Sequence, residues 1–347
     1  INVRVSPVSV EYGQFEGGVI EVVSKGGTNE FQGSVYTFDR GDSLSGDEVR
    51  GVTVDRAFDD TSEGFTLGGP IIKDKAFFFI AFETNDKTTP INFGPTGSGA
   101  PALQTITSAE VDQIRADTIS TYGFDPLGYT SSNTSTQENL SARFDLDISD
   151  VHRLQINYRE SESEALKGSN SNNRSFYFGS NEYLKPELTE STGILLVSNW
   201  SDAFTTEIQL NNKSTDTGQT SPIGNSTANF NIENAFGMQD IYLGVDPYRS
   251  ANNLYTETDT LKIKGTYTLG NHEITAGYSE ETFDIYNVFI AFQEGSHTFA
   301  SYDDFLARNS SRYSASNSRV GTEEGGAAEF DYGFESIFVQ DEITMSD

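Results

Sequence analysis

The chain has 347 residues, enough for two average domains or one large all-β domain, and it carries 52 Asp and Glu against 22 Lys and Arg, a net charge of -30. A chain this acidic has no basic surface with which to displace counterions from nucleic-acid phosphates, so we exclude nucleic acid as a partner. Cysteine is absent, which excludes disulfides and thiolate metal sites.

No segment has the pattern of a membrane-spanning helix or a signal peptide. The longest continuous apolar run, residues 76–82, is far shorter than the roughly 20 residues that such a helix requires. The sequence starts with Ile1, without a basic region followed by an apolar one. We therefore interpret it as an internal piece of a longer chain.

Polar and apolar residues alternate with a period of two along much of the chain, and 25 Phe and 16 Tyr accompany this alternation. In the clearest segment Leu140 and Phe144 alternate with Arg143 and Asp145. The pattern predicts an all-β protein with strands at 31–40, 62–70, 76–86, 137–148, 152–163, 189–200, 204–216, 255–269, 272–288 and 333–345.

Short and long connections alternate between these predicted strands. Turns lie at 71–75, 149–151, 201–203 and 270–271, and long connections at 41–61, 87–136, 164–188, 217–254 and 289–332. A membrane-crossing antiparallel meander has its short turns on one side and its long loops on the other, as outer-membrane barrels do. The sequence therefore favours a partial transmembrane antiparallel β-barrel, although a soluble two-sheet sandwich shows the same alternation within its strands.

The charged and apolar faces of these strands predict their orientation. An arginine facing lipid at mid-membrane costs roughly 2–4 kcal/mol. We therefore expect Arg143, Asp145 and Asp147 to face a polar lumen. The opposite face and that of the next strand would contact lipid, through Leu140, Phe144, Leu154, Ile156 and Tyr158.

The long connections are polar and acidic. We predict that 41–63, 164–182 and 217–235 are solvated loops, and that any ligand contacts lie among such loops. Within the second connection, apolar residues at helical spacing predict a short helix over 108–121 with Ser108 as its N-cap.

The sequence shows no catalytic or metal-binding pattern. No GxSxG elbow, HExxH pair or cysteine nucleophile is present, and acidic pairs such as Asp59 and Asp60 lack EF-hand spacing. We expect all three histidines to be exposed bystanders: His152, His272 and His297. The chain is therefore predicted not to be an enzyme and to need no cofactor or metal.

Two motifs near the N-terminus resemble one protein family. The first reads GGVIEVVSKGGTNEF at 17–31 and the second LGGPIIKDKAFFF at 67–79. Both resemble TonB-dependent outer-membrane receptors with an Oar-like barrel, in which a plug domain ends with the first motif and the barrel opens with the second. The likeness is weaker at 259–283 and 338–342, and Glu21 and Gly26 depart from the residues usual in the family.

The resemblance implies a domain organisation and a set of site residues. Residues 1–30 would be the C-terminal end of a plug domain, and 31–347 the N-terminal part of a barrel of about twenty-two strands. The plug-to-barrel motif would comprise Gly17, Gly18, Lys25, Gly27, Thr28 and Asn29. The barrel-start motif would comprise Gly68, Gly69, Pro70, Lys73, Asp74 and Lys75. We expect the glycines to make turns rather than to bind a ligand.

The resemblance also implies a function and partners. The protein would import a siderophore, saccharide or peptide across the bacterial outer membrane, energised by the TonB complex through a region outside this sequence. Its other partners would be outer-membrane lipid and the extracellular substrate. The alternatives are a passive outer-membrane channel, a surface adhesin barrel and a secreted acidic β-sandwich that binds a ligand.

Overall fold

A computed structural model describes residues 2–5, 9–11, 18–21, 23–46, 48–49, 52–53, 58–168 and 171–345. Its main element is a ten-stranded antiparallel sheet, which we call the wall. In chain order the strands are β1 (Gln32–Gly41), β2 (Asp59–Ile72), β3 (Ala76–Pro90), β4 (Ser132–Asp147), β5 (His152–Lys167), β6 (Tyr183–Ser201), β7 (Phe204–Thr217), β8 (Asn252–Leu269), β9 (His272–Phe289) and β10 (Ala327–Ile343).

The wall is an open meander. Each strand pairs with its neighbours in the chain, and β1 and β10 do not pair with each other. All ten predicted strands are present, so the predicted all-β, partial barrel is confirmed. Two ends differ from the prediction by six residues: β6 begins at Tyr183 and β10 at Ala327.

The predicted alternation of connections is also confirmed. Short turns at 73–75, 148–151, 202–203 and 270–271 lie at one end of the wall, and the connections at the other end are much longer. In the first turn Asp74 has a φ of 58°, in the left-handed region, which lets the chain reverse within three residues.

The long connections fold together beyond the other end of the wall. Their main element is a five-stranded sheet, which we call the loop sheet. Its strands, in spatial order, are Ser175–Tyr177, Gln239–Gly244, Asn229–Asn234, Ser296–Phe299 and Arg312–Ser314. Smaller pairs join Phe93–Thr96 to Ala102–Thr107, Glu48–Val49 to Val52–Thr53, and Asn2–Val5 to Gly18–Glu21.

The largest buried apolar cluster of the described residues lies in these connections and not in the wall. It comprises Ile106, Val111, Ile114, Phe176, Phe178, Phe230, Ile232, Ala235, Ile241, Leu243, Phe299 and Phe305. The prediction that 164–182 and 217–235 are solvated loops is therefore wrong over part of each segment. His152 and His297 were also predicted to be exposed, but both are half-buried. His152 lies edge-on to Trp200 at 5.0 Å, and His297 stacks against Phe230 at 5.6 Å, both measured between ring centroids.

The predicted helix is present as α1 (Ser108–Tyr122), one residue longer than expected. Its N-cap is Thr107 and not Ser108: the Thr107 hydroxyl accepts from the Glu110 amide, and the Glu110 carboxylate accepts from the Thr107 amide. The other helical segments are Ala235–Met238, Tyr302–Leu306, Asp42–Leu44, Gly179–Asn181 and Glu324–Gly326. Among the described residues, no helix has the length and apolarity to cross a membrane.

The two faces of the wall differ in charge. Residues 10, 11 and 24–27 lie against one face, which we call the inner face. The strand register places every lysine and arginine of the ten strands on it: Arg40, Lys87, Arg143, Arg153, Arg159, Lys167, Lys185, Lys213, Lys262 and Lys264. The outer face is apolar near the short turns and acidic beyond, with Glu63, Glu138, Glu160, Glu190, Asp259, Glu280 and Glu335.

Candidate functional site

The two N-terminal motifs meet at the start of the wall. The Asn29 side-chain amide donates to Asp74 Oδ1 at 2.5 Å, and the Asp74 backbone amide donates to Asn29 Oδ1 at 2.7 Å. This reciprocal pair ties the chain just before β1 to the turn between β2 and β3. An Asn is suited to this position because its side chain offers both a donor and an acceptor.

Glycine is required where the segment passes over the wall. A Cβ on Gly27 would overlap the Phe78 carbonyl and would lie 2.8 Å from the Gly69 carbonyl and 2.9 Å from the Phe78 amide. These are backbone atoms of two paired strands and do not move aside readily. The expectation that this glycine serves a turn is therefore replaced by a close approach of two backbones.

Gly69 on β2 also has no room for a side chain, but its neighbour is an aromatic ring and not backbone. A Cβ there would overlap the Phe31 ring, and the Phe31 and Phe78 rings lie 6.3 Å apart. A Cβ added to the neighbouring Gly68 would lie 3.7 Å from the Gly27 Cα. Glycines of both motifs thus line one seam between the N-terminal segment and β2.

Farther along the wall, the arginine of a buried ion pair binds the N-terminal segment. Arg143 binds Asp145 through two hydrogen bonds of 2.7 Å, and the Asp145 side chain is only 3% exposed. Arg143 Nη1 also donates to the Ser24 carbonyl at 2.8 Å, and Arg159 Nη2 donates to the Ser24 hydroxyl at 2.6 Å. The predicted inward orientation of Arg143 and Asp145 agrees with these contacts.

A second anchor lies on β8. The Glu11 carboxylate accepts from Lys262 Nζ at 3.1 Å and from Lys264 Nζ at 3.3 Å. Burial raises the pKa of Glu11, but the hydrogen bonds and positive charge of the two lysines outweigh it and hold the pKa below its ordinary value. On β10, Gln340 Oε1 accepts from the Val10 amide at 2.9 Å.

The remaining motif residues have lesser contacts. Lys25, Lys73 and Lys75 are exposed, and the Thr28 hydroxyl donates to the Glu30 carbonyl at 3.0 Å. Pro70 lies on β2 opposite Phe77. Gly18 opens the strand Gly18–Glu21, and Gly17 lies outside the described residues.

Sequence reasoning missed the anchors farthest from the motifs. Neither Glu11 nor Arg159, Lys262 and Lys264 was predicted as a site residue, although the charged, inward side of the alternation on β5 and β8 marks the three cations. No sequence pattern distinguishes Glu11 from the other acidic residues, of which the chain has 52 in all. Among the described residues, no group of three or more His, Asp and Glu could hold a metal ion.

Comparison with known proteins agrees with this architecture. Residues 23–97 match a family model described as an outer membrane beta barrel domain. The TonB-dependent transporter Oar of Myxococcus xanthus is 36% identical over 89 residues, covering 24% of this chain and 8% of that protein. The residues that match the family model include the second motif and the last nine residues of the first.

Two solved structures share the fold. The outer membrane transporter YddB from Escherichia coli has a TM-score of 0.58 and 9% identity over 99% of this chain and 40% of its own. The siderophore receptor PirA from Acinetobacter baumannii has a TM-score of 0.52 and 11% identity over 95% of this chain and 39% of its own. The chain thus spans less than half the length of each of these proteins.

These findings confirm the resemblance to TonB-dependent outer-membrane receptors and place the chain in the bacterial outer membrane. The relatives are named as transporters or a receptor, which agrees with the prediction that the chain is not an enzyme. The apolar part of the outer face is accordingly a lipid-contacting surface.

Proposed function

We propose that this chain is part of a TonB-dependent importer, in which residues 1–30 end a plug domain and residues 31–347 begin the barrel. The observation that carries the proposal is the path of the N-terminal segment across the inner face. Its contacts reach β2, β3, β4, β5, β8 and β10. A passive channel or an adhesin barrel has no need of such a segment inside its wall.

The contacts divide the segment into two parts with different strengths of attachment. Gly27 and Asn29 are held by backbone proximity and a reciprocal amide pair at the first strands. Ser24 and Glu11 are held by hydrogen bonds and ion pairs with side chains. A hydrogen bond or ion pair to a side chain can be replaced by a contact with water when the segment moves, whereas the packing of the glycine seam cannot.

This division suits an importer whose plug moves while remaining attached. Force applied to the plug by TonB would break the contacts of Glu11 and Ser24 first. The glycine seam, with Gly27, Gly68 and Gly69, and the pair of Asn29 and Asp74 would remain as the fixed point. In this proposal the plug-to-barrel and barrel-start motifs are a mechanical anchor, and substrate contacts lie elsewhere.

The imported substrate would be a siderophore, a saccharide or a peptide, and it would first meet the long connections. Those connections carry the loop sheet and its buried aromatic cluster, so they offer a shaped surface and not a set of free loops. A surface with defined packing can present polar groups in fixed positions, which ligand selectivity requires.

The test is TonB-dependent uptake by cells that produce the full-length protein. Cells with the gene, with the gene deleted, and with the gene but without TonB would be compared for growth on single siderophore, saccharide and peptide sources. Growth that needs both the gene and TonB supports an importer. Growth that needs the gene but not TonB would indicate a passive channel and refute the proposal.

A further inference from the structure

The outer face of the wall changes from apolar to polar along a line that crosses β6, β7 and β8. On the side of the short turns, Ile194, Leu210 and Leu261 are direct cross-strand neighbours. The next row of the same face, toward the long connections, consists of Thr192, Asn212, Asp259 and, on β9, Thr282. The edge of the lipid-contacting surface therefore runs between these two rows.

A depression of about 340 Å³ lies on this edge. Its lining contains the three apolar residues of the first row, the four polar residues of the second, and Glu280 of β9. Strands β6 to β9 each have a paired strand on both sides, and the depression lies on the face opposite the N-terminal segment. Its shape is therefore independent of the free edges of the wall and of what fills the lumen.

The carboxylates of the depression are oriented by neutral donors. The Asn212 side-chain amide donates to Asp259 Oδ1 at 2.9 Å and to Glu257 Oε1 at 2.8 Å. The Tyr278 hydroxyl donates to Glu280 Oε2 at 3.1 Å. Such donors fix a carboxylate without cancelling its charge, and the ten strands place no lysine or arginine on this face. The depression therefore presents two oriented carboxylates whose negative charge the wall does not balance.

Asp259 and Glu280 are spaced to share one small cation. Asp259 lies directly opposite Thr282, so Glu280 is its diagonal neighbour, at about 7–8 Å between Cβ atoms. In the part of the chain that the structure describes, no group of three or more His, Asp and Glu could hold a metal ion. Calcium and magnesium need about six or more oxygen ligands, whereas an ammonium group has only three hydrogens to donate. The geometry therefore fits an ammonium group better than a metal ion.

We propose that the depression binds an amine-bearing lipid, with the ammonium group between Asp259 and Glu280 and an acyl chain along Ile194, Leu210 and Leu261. The long loops of outer-membrane barrels are extracellular, so this edge lies at the level of the headgroups of the outer leaflet. A lipid uses both halves of the depression, whereas a soluble amine would use only the polar half. The proposal goes beyond the importer function and does not depend on it, since it requires only the lipid-contacting outer face.

The test is a lipid titration of the purified, delipidated full-length protein in detergent with EDTA, read by native mass spectrometry. Dimyristoyl phosphatidylethanolamine is the amine-bearing probe, and dimyristoyl phosphatidylglycerol has the same chains and phosphate without the amine. We expect the phosphatidylethanolamine to bind about tenfold more tightly. Glycerophosphoethanolamine, which has the amine but no acyl chains, should bind far more weakly than the intact lipid.

Two double variants separate the depression from the rest of the acidic outer face. Asp259→Asn with Glu280→Gln should reduce the affinity for phosphatidylethanolamine to that for phosphatidylglycerol, and each single variant should show part of this loss. Glu138→Gln with Glu162→Gln is the matched control and should keep the preference. These two acids are direct neighbours on the outer face of β4 and β5 and lie outside the depression. A shift in gel mobility on boiling verifies that each variant is a folded barrel.

Equal binding of the two lipids, or an equal loss in both double variants, would overturn the proposal. So would glycerophosphoethanolamine that binds as tightly as the lipid, since this would indicate a site for soluble amines. Phosphatidylglycerol binding that rises to the level of phosphatidylethanolamine when Mg²⁺ replaces EDTA, and is lost in the Asp259 and Glu280 double variant, would indicate a metal-bridged anionic lipid and would overturn it too. None of these measurements involves TonB or an imported substrate, so they fail independently of the uptake test.

Discussion

The glycine seam makes a quantitative prediction for Gly27→Ala. The added methyl group would overlap the Phe78 carbonyl and lie 2.8 Å from the Gly69 carbonyl, both on paired strands that cannot yield singly. Overpacking of this kind costs about 1–3 kcal/mol. The cost is relieved when the segment leaves the wall, so its detached population should rise roughly 5- to 150-fold.

The rate of trypsin cleavage after Lys25 measures that population in the folded full-length protein, because cleavage follows the open fraction when opening is fast. Gly26→Ala should have a smaller effect, since its methyl group meets only the Asp145 and Arg143 side chains, at 3.1 and 3.4 Å. Gly46→Ala, with no atom within 4 Å, is the unperturbed control. Equal cleavage rates for the Gly27 and Gly46 variants would refute the close-approach argument.

Three further predictions concern the wall, α1 and the long connections. Asp145→Ala should lower the free energy of unfolding by about 3 kcal/mol or more, because it leaves Arg143 buried without its partner. Asp147 is exposed, so Asp147→Ala should lower it by under about 1 kcal/mol. Urea unfolding in lipid vesicles measures both. Thr107→Ala should destabilise α1 by about 1 kcal/mol and Ser108→Ala should not, as measured by hydrogen exchange of the helix amides. Burial raises the pKa of Glu182 to about 7 from 4.5, so the stability that its protonated carboxyl group contributes is complete below pH 4.5 and is lost as the pH rises through 7. The long connections should therefore resist protease better at pH 5 than at pH 8. Glu182→Gln should remove this difference.

Each control in this set can contradict its argument. A Ser108 variant as damaging as the Thr107 variant would restore Ser108 as the N-cap. Equal costs at Asp145 and Asp147 would show that burial of the ion pair has no consequence. Connections that resist protease equally at both pH values would show that Glu182 titrates in its ordinary range.

The wall could be predicted from the sequence because its strands are long and paired with their chain neighbours. Leu140 to Asp147 alternates without interruption, and the turn at 148–151 fixes its partner. Local pattern and short turns then determine both the topology and the inward face. The start of β4 failed for the opposite reason, since its first residues, Ser132 to Thr136, are polar on both faces.

The loop sheet could not be predicted in this way, because its pairings join distant segments. Ser175–Tyr177 pairs in parallel with Gln239–Gly244, more than 60 residues later, and no turn relates them. Phe176 and Ile232 belong to the short segments SFYF and NFNI, which are flanked by polar residues and are too short to predict a pairing partner. The motif residues of the site were recognised by resemblance, but the contact of Asn29 with Asp74 needed the structure.

The charge distribution across the wall follows from what each side tolerates. A lysine or arginine facing lipid costs roughly 2–4 kcal/mol at the midplane, while a carboxylate near the boundary costs less. The outer face can therefore carry acids such as Glu160 and Glu190 once the apolar band ends, and the strand cations are confined to the inner face. There they meet the carboxylates of the wall and of the N-terminal segment, as Lys262 and Lys264 meet Glu11.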